Sequence, residues 1–153
     1  MEASASKAFR SIPELGWLAE NLGMSTEAHK DLLETGFSWV ATDSSQACVG
    51  FLIAKIVEGD FFIGEVSVHE THQKKGIGSQ LFEAALVEAK SLDLKAVTLT
   101  TFNDVPWNAP FYKRLGFSIL DPAATPSYLQ IILRDEAAAG LPIRRRCAMR
   151  KPL

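Results

Sequence analysis

Between Glu65 and Phe82 the chain reads EVSVHETHQKKGIGSQLF, a stretch whose residue types and spacing could seat a large anion. Val66 and Val68 favour a strand, a short polar turn follows, and Gly76 and Gly78 fall where a helix must begin. From Ile77 the apolar residues Leu81, Phe82, Ala85, Leu86 and Ala89 recur at the intervals of a buried helix face. A helix start carries roughly half a positive charge and several unpaired N–H donors. Glycines there let a ligand approach those donors closely, and Lys74 and Lys75 add charge. Strand, Gln73-Lys74-Lys75-Gly76-Ile77-Gly78-Ser79, helix is therefore a seat for a phosphate group. A glycine-softened turn with solvated lysines would give the same letters.

Two phosphate loops are excluded by spacing. A P-loop needs GxxxxGK followed by Ser or Thr, which this chain lacks, and a dinucleotide fingerprint needs a third glycine where Leu81 stands. The remaining pattern, Gln-x-x-Gly-x-Gly after a strand, resembles the pyrophosphate-binding motif of the GCN5-related N-acetyltransferase (GNAT) superfamily. Residues 108–117, Asn-Ala-Pro-Phe-Tyr-Lys-Arg-Leu-Gly-Phe, are similar to that superfamily's second signature, an aromatic-Tyr pair, a basic residue, any residue, then Gly-Phe. The two signatures stand in the right order, separated by one helix and one strand. The resemblance covers about 37–120.

The resemblance implies transfer of an acetyl group from acetyl-CoA to a primary amine by direct attack on the thioester. It implies that Gln73, Lys74, Lys75, Gly76, Ile77, Gly78 and Ser79 receive the pyrophosphate. The backbone around Val66, Ser67 and Val68 would bond the pantetheine arm as an added strand does. Phe111 and Tyr112 belong to the second signature, and Tyr112 is the implied proton donor to the leaving thiolate. A Pro-Trp turn lies between Asn103 and Asn108, so either could contact the cofactor.

An amine with a pKa near 10 must lose a proton before it attacks. Strand alternation puts Glu65, Ser67 and His69 on one face and Val66 and Val68 on the other. Glu65 is the first choice of base, through water, with His69 the alternative; a solvated strand carboxylate reads equally well. Phe37, Trp39 and Trp107 could line the acceptor pocket or simply pack in the core, and His29 could stand at its mouth. A small-molecule amine is the expected acceptor. The alternatives are a peptide amine, or a module that binds acyl-CoA without chemistry.

The rest of the chain must position these residues. With 153 residues, 47% of them hydrophobic, one domain spanning 1–153 has enough apolar material for a core. A net charge of -2 does not indicate a nucleic-acid or anionic-membrane binder. Cys48 and Cys147 lie in apolar runs and read as core residues, and with three scattered His they form no metal template. Without a signal peptide or an apolar run of about 18 residues, a cytoplasmic protein is expected.

Residues 3–22 read as a helix interrupted at Pro13, and Ser25 opens a short helix through Leu33. Strands are expected at 37–42, 47–57 and 61–68, joined by tight turns at 43–46 and 58–60. A helix follows at 76–92, a strand at 95–101, a helix at 107–115, a strand at 117–120, a helix at 127–139 and a strand at 143–149. The expected fold is one mixed, mostly antiparallel sheet with helices on both faces. The superfamily's fold opens with a strand, whereas 1–10 here reads helical. That first strand is therefore expected to be missing, formed differently or supplied by a partner chain. The N-terminus and the last strand would both suit a homodimer.

Overall fold

The computed structural model describes residues 2–20, 30 and 34–153. A single α-helical turn, α1 (Glu2–Ala5), runs into two 3₁₀ segments, Ser6–Ser11 and Pro13–Ala19. The expected N-terminal helix is thus broken where Pro13 predicts. Ile12 is extended, at φ -112° and ψ 105°, because the ring that follows excludes it from the α region. Of the helix expected from Ser25 to Leu33, Lys30 is described and is helical; the other residues of that stretch lie outside the described ones.

Then come β1 (Phe37–Thr42), β2 (Cys48–Val57), β3 (Asp60–Val68), α2 (Ile77–Ser91), β4 (Ala96–Phe102), α3 (Ala109–Arg114), β5 (Ser118–Ile119), α4 (Ser127–Ala138) and β6 (Arg146–Pro152). The sheet order is β1-β2-β3-β4-β6-β5, a single mixed sheet of six strands flanked by helices. No strand precedes β1 among the described residues. No helix among them is long and apolar enough to cross a membrane.

The turns form for local reasons. The Asp43 carboxylate accepts the Ser45 hydroxyl at 2.7 Å and the N–H groups of Ser45 and Ala47 at 2.8 and 3.1 Å. Those bonds, the Ser45 hydroxyl first, favour the carboxylate and hold its pKa below the usual carboxylate range. Glu58 and Gly59 both take positive φ, 51° and 85°, as a two-residue hairpin joining β2 to β3 requires.

Two expectations need correcting. The last strand begins at Arg146, three residues late, because Arg145 N–H bonds to the Pro142 carbonyl and closes a 3₁₀ turn over Ile143–Arg145. Antiparallel pairing with all of β4, from Ala96↔Pro152 to Phe102↔Arg146, then fixes where the strand lies. Cys48 is exposed rather than buried, at the start of β2 where the register shifts between Ala41 and Thr42; Cys147 is buried as expected.

The chain forms two compact units. One comprises the chain up to Lys55 together with Ile63–Glu88; the other comprises Ile56–Phe62 and Ala89–Leu153. In the first, Leu15, Leu52, Leu81, Phe82 and Ala85 are buried. In the second, Phe62, Tyr128, Leu129 and Ala148 form a core that Ile132 and Leu133 extend.

The second unit has helices on both faces of its strands. Thr98, Thr100 and Phe102, paired with Arg150, Ala148 and Arg146, face α4. There the Tyr128 hydroxyl meets Thr98 Oγ1 at 2.8 Å, and Glu136 accepts Arg146 in two bonds of 2.7 and 2.9 Å. On the other face Thr101 bonds to Tyr112 of α3, and Lys151 donates to the Leu115 carbonyl at 2.8 Å.

Candidate active site

In the first unit the candidate residues lie on the passage from β3 to α2. His69 N–H bonds to the Val49 carbonyl on β2 at 2.9 Å, and a 3₁₀ turn, Glu70–His72, reverses the chain. The Gln73 side-chain amide then donates back to the Val68 carbonyl at 3.1 Å, stapling the loop to the end of its own strand. Lys74 and Gly76 both take positive φ, 60° and 84°. Glycine holds that conformation without strain, and the space around Gly76 is open, with nothing within 4 Å of a Cβ placed there. Gln80 N–H bonds to the Gly76 carbonyl at 3.0 Å. The N–H groups of Ile77, Gly78 and Ser79 therefore lie in the first turn, ahead of the helix's own acceptors. Lys74 and Lys75 are exposed beside them. Open space at Gly76, first-turn N–H groups and two lysines suit a diphosphate.

The base of this arrangement is a residue that the sequence reading passed over. A Cβ on Gly50 would meet the Ser67 carbonyl at 3.1 Å, Ile77 Cγ2 at 3.2 Å and Leu81 Cδ1 at 3.4 Å. The start of α2 thus rests on the β2 backbone. An isolated glycine within a strand pattern was the available signal, since it marks close approach.

On β3, Glu65 and Ser67 share a face as alternation predicts, and Ser67 Oγ donates to Glu65 Oε1 at 3.0 Å. The parallel ladder between β3 and β4 registers Phe61 with Val97 and Phe62 with Thr98. Val66, Ser67 and Val68 lie beyond it. His69 turns away from strand duties: its Nδ1 caps the 3₁₀ turn by accepting Thr71 N–H, and Thr71 Oγ1 lies 3.0 Å from His69 Nδ1 and 2.9 Å from His72 Nδ1. His29 is outside the described residues.

In the second unit, Tyr112 lies in α3 with 8% of its surface exposed, edge-on to Phe111 and Phe117. Burial pushes the phenol up to about 12, against the opposing influence of Arg146 and of the Thr101 hydrogen bond. The two candidate asparagines behave differently. Asn103 is tied down, its side-chain amide donating to the Arg144 carbonyl at 3.2 Å and its N–H to the Arg145 carbonyl at 2.8 Å. Asn108 precedes α3 and its carbonyl accepts the N–H groups of Phe111 and Tyr112, yet its buried side-chain Oδ1 has no hydrogen-bond partner. A buried acceptor left unpaired fits a ligand N–H. Phe37 and Trp39 stack with centroids 6.3 Å apart, whereas Trp107 is exposed.

Residues 34–119 match the Acetyltransferase (GNAT) domain family. Among solved structures, the IAA acetyltransferase from Bacillus cereus is 20% identical over 84% of this chain and 85% of its own, with a TM-score of 0.66. A GNAT family acetyltransferase from Elizabethkingia anophelis, solved with acetyl-CoA bound, is 26% identical over 63% of each chain, at 0.58. An N-acetyltransferase from Thermoplasma acidophilum in complex with coenzyme A is 16% identical over 99% of this chain and 88% of its own, at 0.68. The chain belongs to the GNAT acetyltransferase family.

Proposed function

We propose that this chain acetylates a primary amine of a small molecule, with acetyl-CoA as donor, in the cytoplasm. The observation that carries the reading is the loop from Gln73 to Ser79, stapled at Val68 and open at Gly76. Acetyl-CoA supplies the thioester, whose C–S bond breaks as the C–N bond of the amide forms.

The chain's own residues divide the work. Main-chain N–H groups of Gly76, Ile77, Gly78 and Ser79, with Gln73, Lys74 and Lys75 around them, hold the diphosphate. Main-chain groups of Val66, Ser67 and Val68 bond the pantetheine arm. Asn108 Oδ1 accepts an N–H of the cofactor, a role that suits it better than Asn103, whose amide is already engaged. Phe111 packs edge-on against Tyr112 and fixes its ring. The stacked rings of Phe37 and Trp39 seat the carbon frame of the acceptor.

Glu65 takes a proton from the amine through water. Overall an ammonium and a thioester give an amide, a thiol and one released proton. Tyr112 is a hydrogen-bond donor more than an acid: its phenol stands at about 12, while a thiol ordinarily titrates near 8.5. Complete transfer to the thiolate is uphill by about 3–4 pKa units, or about 5 kcal/mol. Donating a hydrogen bond to the sulfur as charge develops there carries no such cost.

Calorimetry with acetyl-CoA, followed by thiol release on a panel of propylamine, polyamines, amino sugars and peptide α-amines, tests the reading. Binding with turnover of small amines supports it. Turnover of peptides alone overturns the acceptor class, and binding without turnover makes the chain a non-catalytic acyl-CoA module.

A further inference from the structure

Along β3 the odd-numbered positions change character. Phe61 and Ile63 are buried and apolar, whereas the next two on that alternation are Glu65 and Ser67. A core-facing strand that turns polar midway signals something other than packing. Ser67 is itself buried, with 7% of its surface exposed, so its hydroxyl must be satisfied internally. It is satisfied by Glu65 Oε1 at 3.0 Å. The Ser67 carbonyl lies 3.1 Å from where a Gly50 Cβ would stand, so close contact with β2 holds the backbone that carries the hydroxyl.

A glutamate's terminal torsion is broad, with no staggered well to hold the carboxylate plane. A hydroxyl anchored two residues away supplies that restraint. Fixing one carboxylate oxygen fixes the plane in which the other lies. A base held in one orientation meets its proton more often than one that swings, because rate falls steeply with small misplacements.

We propose that Ser67 is a positioning residue for the base: its buried hydroxyl orients the Glu65 carboxylate for proton removal. This rests on Glu65 being the base. It assigns the Ser67 side chain a task separate from the main-chain contacts of the pantetheine arm.

The test is a double-mutant cycle read in kcat, with propylamine as acceptor and acetyl-CoA affinity measured alongside by calorimetry. Ser67→Ala should lower kcat about 10-fold, a part of the 10²–10⁴-fold a general base contributes, with acetyl-CoA Kd changed less than 2-fold. Ser67→Thr should restore most of the rate by returning the hydroxyl. In a Glu65→Gln background, Ser67→Ala should cost nothing further. Should Ser67→Ala fold poorly, Ser67→Cys keeps the volume with a weak donor and should show the same loss. An equal loss in the Glu65→Gln background, or a loss of cofactor affinity in place of kcat, overturns the positioning role and leaves Glu65 as base. A Glu65→Gln enzyme at the parental rate overturns the base assignment, and Ser67's role with it.

Discussion

Ile77 Cγ2 lies 3.2 Å from the point that a Gly50 Cβ would occupy, so the helix that opens at the glycine loop leans on the bare backbone of β2. The missing Cβ leaves room for Ile77 and Leu81 of that helix to approach the strand closely. Gly50→Val should cost about 1–3 kcal/mol by overpacking, since the Ser67 carbonyl on the far side cannot give as a flexible side chain would. Denaturant unfolding measures that cost. Acetyl-CoA affinity should fall with it, because the displaced helix carries the N–H groups. Unchanged stability and affinity would show that α2 is not seated there.

Gly78 offers a cleaner separation of fold from binding. It is the second residue of α2 and does not share the positive φ of Gly76. Gly78→Leu places a good helix former in a helix and should hold or raise stability, by up to about 1 kcal/mol. The same side chain stands where we place the diphosphate, so acetyl-CoA binding should drop at least 10-fold by calorimetry. A variant that binds at parental affinity would remove the diphosphate from this loop. Gly76→Ala is the poorer probe, since φ 84° strains any side chain.

The order of elements was legible because strand alternation, turn residues and the helical period of 77–89 agree with one another. The glycine loop and the tyrosine segment could be found by their resemblance to the superfamily's two signatures, and the positive φ at Gly76 shows why a glycine stands in the first. What could not be read were contacts between distant segments. Gly50 says only that some group comes close, and Thr101 gives no hint that it bonds to Tyr112. Ile143 looks like a strand residue by type, but the Pro142 carbonyl captures Arg145 N–H and holds the start of β6 back. Cys48 is apolar by neighbourhood and exposed by position, at the open end of a strand.

Tyr112 and Tyr128 make alkaline stability informative. Burial raises both phenols, Tyr112 to about 12 and Tyr128 further, where the nearby Asp60 carboxylate adds to the rise. Between pH 10 and 12 the unfolded chain gives up the Tyr112 proton while the folded chain keeps it, so stability falls as pH rises through that window. Two pKa units amount to about 3 kcal/mol for Tyr112. Tyr112→Phe should flatten the fall in unfolding free energy over pH 10–12 by about that amount. Below pH 10 the substitution should leave the slope with pH unchanged. The same variant should lower kcat with acetyl-CoA affinity nearly intact, and the parental rate at every pH would remove Tyr112 from the chemistry.

Asp60, the first residue of β3, is held by Tyr128 and Arg150. Asp60 is 5% exposed; its Oδ1 accepts Arg150 at 3.0 Å and its Oδ2 accepts the Tyr128 hydroxyl at 3.1 Å. Asp60→Ala leaves that hydroxyl with Thr98 Oγ1 alone and takes one acceptor from the guanidinium. The Arg150 side chain is 33% exposed and the Tyr128 hydroxyl keeps Thr98 Oγ1, so the expected cost is about 1.5–3 kcal/mol, that of hydrogen bonds to a charged group. Activity per folded molecule should be unchanged, since none of these groups has a place in the chemistry.

Asn108 and Asn103 should respond in opposite ways. Removing the Asn103 amide breaks its bond to the Arg144 carbonyl, so Asn103→Ala should lower stability by about 1 kcal/mol while acetyl-CoA affinity stays within 2-fold. Removing the Asn108 side chain deletes a buried acceptor that has no partner in the free protein, so Asn108→Ala should be as stable as the parent or more so. If Oδ1 is kept for an N–H of the cofactor, the same variant should bind acetyl-CoA about 3–10-fold more weakly, the worth of one net hydrogen bond. Stability rising while affinity falls is the signature of a group held unsatisfied for a ligand. Thermal melts with and without acetyl-CoA read both quantities from one sample. If Asn108→Ala loses stability and keeps its full ligand-induced shift, Oδ1 serves the fold and the cofactor's partner must be sought at Asn103.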